Sequence, residues 1–127
     1  MSTGDAQDWL GQAQGELRYA RLGRTDATIP LNLVGFHAQQ AVEKAIKALL
    51  VQRGTDFPKT HDLQDLQQRL STAGFRVPAE LEEVTILTPY AVQSRYPGFD
   101  EPITDTQADA AIHLAESFLH WAIATIQ

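Results

Sequence analysis

The stretch LNLVGFHAQQAVEKAIKALLVQR, residues 31–53, decides the fold. Its apolar residues, from Leu33 and Val34 through Ala41, Val42 and Ile46 to Leu49 and Leu50, recur at spacings of three and four and cover an arc too wide for a helix with one wet side. Such a helix belongs at the centre of a bundle. Ala38, Ala41, Ala45 and Ala48 form a line of small side chains along which a neighbouring helix can approach the backbone closely. Gln40, Glu43, Lys44 and Lys47 read as its polar edge. Pro30 suits the first turn, where a missing N–H is harmless, and Gly54 stops the helix.

Working outward, helical spacing continues in both directions. A first helix is expected from about Asp5 to Leu22, with Trp9, Leu10, Ala13, Leu17 and Ala20 on one face and Gly23 as its stop. Beyond a loop containing Pro58, Thr60 reads as the N-cap of a short helix with Leu63, Leu66 and Leu70 as its stripe. Gly74 ends that helix, and Phe75 and Val77 return to the core. Pro78 opens a fourth helix from about Ala79 to Ser94, apolar at Leu81, Val84, Ile86 and Leu87, with a kink or break between Thr85 and Tyr90 caused by Pro89. Residues 96–102 form a rigid loop, and a last helix starts near Thr104 or Asp105, with Ala108, Ile112, Ala115, Leu119 and Ala122 inward. No run alternates with the period of a strand. The fold class is all-α, an up-and-down four-helix bundle with one additional short helix, in a single domain over residues 1–127.

With 127 residues, 43% of them hydrophobic, the chain has room for one compact domain. Ten basic residues against 16 acidic give a formal charge of −6, which disfavours indiscriminate adhesion to nucleic acid or anionic membrane. Residues 1–60 hold seven basic and six acidic side chains, residues 61–127 three and ten, so basic surface concentrates on the first two helices. The absence of cysteine excludes disulfides, thiol nucleophiles and Cys-based metal centres. A polar, acidic start without an apolar segment, and no apolar run of roughly 20 residues, make a cytoplasmic protein with no membrane association the expectation.

Several side chains are candidates for chemistry. Arg18, Arg21, Arg24, Lys44 and Lys47 would hold an anion if the first two helices brought them together; otherwise they are an ordinary solvated face. Arg95, at a helix end before a Tyr-Pro-Gly turn, could grip a phosphate or carboxylate, or cap helix four, or pair with Asp100 or Glu101. Tyr96 and Tyr90 are its neighbours. His37 and His61 could carry protons near neutral pH, but no nucleophile stands at telling spacing. His113, Glu116 and His120 share one face of the last helix, a spacing that a metal site has in common with any polar stripe; the stripe is the reading adopted, with no metal. No phosphate loop or dinucleotide fingerprint is present, and no cofactor is expected.

Three segments taken together, FHAQQAVEKAIKALL at 36–50, THDLQDL at 60–66 and YAVQSRYPG at 90–98, resemble the HEPN domain family in order and spacing. The resemblance implies a small helical bundle, commonly a homodimer, often a partner of a minimal nucleotidyltransferase in a toxin–antitoxin-like module, with nucleotide binding or metal-independent RNA cleavage as its activities. It implies a site of His37, Gln40 and Lys44 on helix two, His61 in its loop, and Arg95 with Tyr96 as a nucleotide- or RNA-phosphate contact. Ribonuclease members place a His with four to six residues between it and the Arg; here Asp100, Glu101 and Pro102 stand where it would fall. Binding without catalysis is therefore the favoured expectation, and a ribonuclease using Arg95 with His61 as an unconventional base is the alternative. An apolar surplus for one small bundle also points to dimerisation.

Overall fold

The computed structural model describes residues 4–57, 59–93 and 103–126. Among them every regular element is helical: α1 (Ala6–Arg24), α2 (Leu31–Gln52), α3 (Leu63–Thr72), a 3-10 helix (Ala79–Leu87), the single-turn α4 (Tyr90–Gln93) and α5 (Asp105–Ile126). The all-α class and the bundle stand as expected.

A reciprocal cap starts α1. Asp5 Oδ1 accepts from the Asp8 amide at 2.8 Å, and Asp8 Oδ2 accepts from the Asp5 amide at 3.1 Å, satisfying two otherwise orphaned donors. The helix runs past Leu22 and through Gly23. That glycine is a packing device: a Cβ there would stand 3.2 Å from Val34 Cγ2 and 3.4 Å from Ile29 Cγ2. Its bareness lets the start of α2 press against α1. α2 closes at Gly54, which takes φ +66°, a conformation open to glycine at little cost.

The N-cap of α3 is Asp62, whose side chain accepts from the Gln64 amide at 3.0 Å. Thr60 acts one step earlier, its hydroxyl accepting from the Asp62 amide at 3.1 Å and setting the turn that presents the carboxylate. The expected fourth helix is also corrected. Residues 79–87 wind as a 3-10 helix, Thr88 and Pro89 interrupt it, and only one α-turn follows. Leu81, Val84 and Leu87 are buried, three residues apart, whereas Ile86 is exposed. Three residues per turn puts the first set on one face, and four-residue steps would not.

α2 sits in the middle, packed against α1, α3, the 3-10 helix, α4 and α5. Its residues Ile46, Leu49 and Leu50 join Phe118 of α5 and Leu63, Leu66 and Leu70 of α3 in one continuous core. Gly35 brings α4 close: a Cβ would lie 3.1 Å from the Tyr90 ring and 3.2 Å from Ile103.

Candidate ligand-binding face of the central helix

Gln40 and Glu43, expected at a wet edge of α2, are buried, with Glu43 only 2% exposed and Gln39 beside it fully covered. The chain after Arg53 folds back over them. His61 Nδ1 lies 2.7 Å from Glu43 Oε1, and Gln39 Nε2 donates both to the His61 backbone carbonyl at 3.2 Å and to Glu43 Oε1 at 3.1 Å. Gln40 Nε2 donates to Gln39 Oε1 at 2.7 Å, and Lys47 Nζ stands 3.1 Å from Glu43 Oε2. The Lys47 ammonium also lies 5.6 Å from the Trp9 ring centroid and 5.5 Å from that of Phe57, within cation–π range of two rings that meet edge-to-face. A lysine and a glutamate of α2 thus hold Phe57 and His61 against that helix.

Burial by itself pushes the Glu43 carboxyl up, but hydrogen bonds from His61 and Gln39 and the adjacent Lys47 charge outweigh it and hold it below the ordinary carboxylate range. Glu43 is therefore an anion at neutral pH, and its engagement of Nδ1 orients the His61 imidazole.

A second carboxylate does the same one turn along. Glu16 of α1 meets His37 Nδ1 at 2.7 Å with one oxygen and Lys44 Nζ at 2.5 Å with the other. The His37 ring stacks on Tyr19, centroids 5.3 Å apart, and meets Phe36 edge-on. The structure thus brings His37 and Lys44 together on Glu16, joins His61 to α2 through Glu43, and places Gln40 on the helix between them. Arg95 and Tyr96, with Asp100, Glu101 and Pro102, lie outside the described residues.

Sequence reasoning passed over Glu16 and Gln39 and set Glu43 on a wet edge. A signal for them existed. Trp9, Ala13, Glu16 and Ala20 step by four, three and four along the inner side of α1, and Glu43 lies in the most apolar stretch of the chain. A glutamate on such a line needs a cationic or donor partner.

The basic residues of the first two helices do not form one anion cradle. Arg21 pairs with Glu116 of α5, Arg24 Nε lies 2.6 Å from Asp109 Oδ1, Lys44 answers Glu16 and Lys47 answers Glu43. The Arg24 hydrogen bond holds the Asp109 carboxyl below its ordinary value. With Glu116 engaged by Arg21, the polar stripe His113, Glu116 and His120 stays a stripe. Among the described residues no three side chains are grouped to hold a metal ion. An open groove of about 960 Å³ lies away from α2, between the 3-10 helix and α5, over Leu81, Leu114 and Trp121. Among the described residues no helix is long and apolar enough to cross a membrane.

The class defined by these features is a small helical bundle with two carboxylate-held imidazoles, one on the central helix and one docked onto it. The HEPN domain family model matches residues 6–126. TT1696 from Thermus thermophilus, a crystal structure, superposes with a TM-score of 0.81 at 32% identity, covering 94% of this chain and 96% of that one. ST0689, described as an archaeal HEPN homologue, superposes with a TM-score of 0.77 at 27% identity, covering 98% of this chain and 100% of the other. No curated protein matches. The chain belongs to the HEPN domain family.

Proposed function

We propose that this HEPN protein acts as a homodimeric binding module in the cytoplasm, the partner of a minimal nucleotidyltransferase in a toxin–antitoxin-like pair, and engages a nucleotide or RNA phosphate on the face of α2. The observation that carries this reading is the docking of His61, through Glu43 and Gln39, onto α2, the helix that also carries His37, Gln40 and Lys44. Since Glu16 and Glu43 balance Lys44 and Lys47, those lysines bring no net charge to the face. The phosphate contact falls to Arg95, with the imidazoles reading the remainder of the ligand and Gln40 bracing Gln39 and Glu43 behind His61.

Isothermal titration with nucleoside mono- and triphosphates and short RNAs tests it. The wild type should give a binding heat that Arg95→Ala loses and Arg76→Ala keeps; identical heats in wild type and Arg95→Ala would remove the site. Copurification with a small nucleotidyltransferase encoded beside it tests the partner.

One observation favours a second reading. A buried carboxylate holding Nδ1 of His61 is the arrangement that makes an imidazole an effective proton carrier. On this reading the protein is a metal-independent endoribonuclease, with His61 exchanging the proton of the attacking 2′-hydroxyl or the leaving 5′-oxygen and Arg95 steadying the phosphate. RNA cleavage that persists in chelator and disappears in both His61→Ala and Arg95→Ala would support it. Purified protein inert on every RNA offered would retire it.

A further inference from the structure

The open groove between the 3-10 helix and α5 shares no residue with the face of α2 described above. Its floor is apolar. Leu81 of the 3-10 helix meets Leu114 and Trp121 of α5 there, and the Trp121 indole rests edge-on against Phe118 with centroids 5.4 Å apart. Leu81 is nearly covered, whereas Leu114 and Trp121 are only half-buried. One wall carries Glu80 and Glu83, both exposed. Winding at three residues per turn sets these two in one ridge and carries the ridge on to Ile86, an apolar side chain left 58% exposed.

The carboxylates of that wall are the ones the fold leaves over. Among the described residues from 61 onward, Asp62 caps α3, Asp65 faces Arg69, Asp105 and Asp109 face Arg24, and Glu116 holds Arg21. The carboxylates of Glu80, Glu82 and Glu83, all on the 3-10 helix, have neither a hydrogen bond nor an ion pair. Arg21 also borders the groove, but Glu116 neutralises it, so the uncompensated charge beside the apolar floor is negative.

We propose that this groove receives an amphipathic helix of a partner protein, apolar along one face and flanked by Lys or Arg. Shape argues for a chain segment, because an open trough cannot enclose a small molecule as a ligand pocket does. Three turns of α5, from His113 to Ala124, run along it for about 16 Å, the length of three turns of a docked helix. Apolar anchors at steps of three and four then cover Leu81, Leu114 and Trp121, with Ile86 at the margin. Charge selects the sign of the occupant: basic side chains meet Glu80 and Glu83, whereas an acidic helix or a nucleic-acid backbone meets two unpaired carboxylates. A second copy of this chain, with a formal charge of −6, brings the wrong sign as well.

Two fluorescein-labelled peptides of about 14 residues, long enough for the three turns, test this. They share one leucine face and carry either lysine or glutamate elsewhere, and binding is read by anisotropy. The wild type should bind the lysine peptide about tenfold or more tighter than the glutamate peptide. Glu80→Lys with Glu83→Lys should abolish or invert that preference. Asp56→Lys with Glu82→Lys makes the same charge change at exposed positions outside the groove and should preserve it. In Trp9→Phe, Trp121 is the one tryptophan left, and the lysine peptide should move its emission to shorter wavelength. Equal losses in the two pairs of variants would reduce the binding to general attraction by an acidic protein and overturn the proposal. An emission that stays in place puts the peptide elsewhere and overturns it too. Light scattering supplies the remaining check: wild-type self-association that is lost in Ala124→Arg, an exposed position on the groove, would give the groove to a second copy and overturn the partner helix.

Discussion

Removing the Glu43 carboxylate strips Lys47, His61 and Gln39 of the acceptor they share, in a place that water does not reach. Glu43→Ala should cost about 3 kcal/mol in urea unfolding, because a buried ammonium loses its partner, and Glu43→Gln should cost less. The same residue gives a pH signature. Its folded carboxyl titrates below the ordinary value of 4.5, so its stabilisation is fully present above that value and is lost as pH falls through the depressed folded one. Stability measured from pH 6 downward should fall more steeply in wild type than in Glu43→Gln once the pH passes below about 4.5. At this scale the sequence pointed to His37, Lys44 and His61 by residue type. It was silent on their charge balance, since that depends on which glutamate of which helix faces them.

Among the elements, α1, α2 and α5 were legible because each buries a stripe at steps of three and four, and burial follows period directly. The segment after Pro78 was misread as α-helical although Leu81, Val84 and Leu87 announce a period of three; Ile86 beside Leu87 gave the impression of a wider apolar arc. Local capping is also an element's property, and Asp5→Ala should lower stability by about 1 kcal/mol by opening the reciprocal cap, visible as a lower urea midpoint. At Gly35, alanine would strike the Tyr90 ring and Ile103 at once. The helix gains about 1 kcal/mol in propensity, overpacking costs about 1–3, and a net loss on the order of 1 kcal/mol is expected in thermal unfolding.

Taken as a whole, the molecule is organised about α2, and among the described residues Phe118 of α5 is the largest fully buried side chain. Phe118→Ala should lower unfolding free energy by about 3–5 kcal/mol, read by denaturant titration, and no other single truncation should exceed it by much. The bundle could be inferred from the chain because its core is periodic. The site could be inferred only in outline, because Arg21 and Glu116 are 95 residues apart and Lys44 and Glu16 are 28 apart, and pairings at such separations leave no local pattern. Wound at three residues per turn, residues 79–87 span about 18 Å, where an α-helix of nine would reach only about 13–14 Å. That stretched winding works as a strut with about 4 Å of slack stored in it. The far end of the strut carries Tyr90 to its seat on Gly35, so a shift from one winding to the other would displace that ring from Gly35 without altering a single residue.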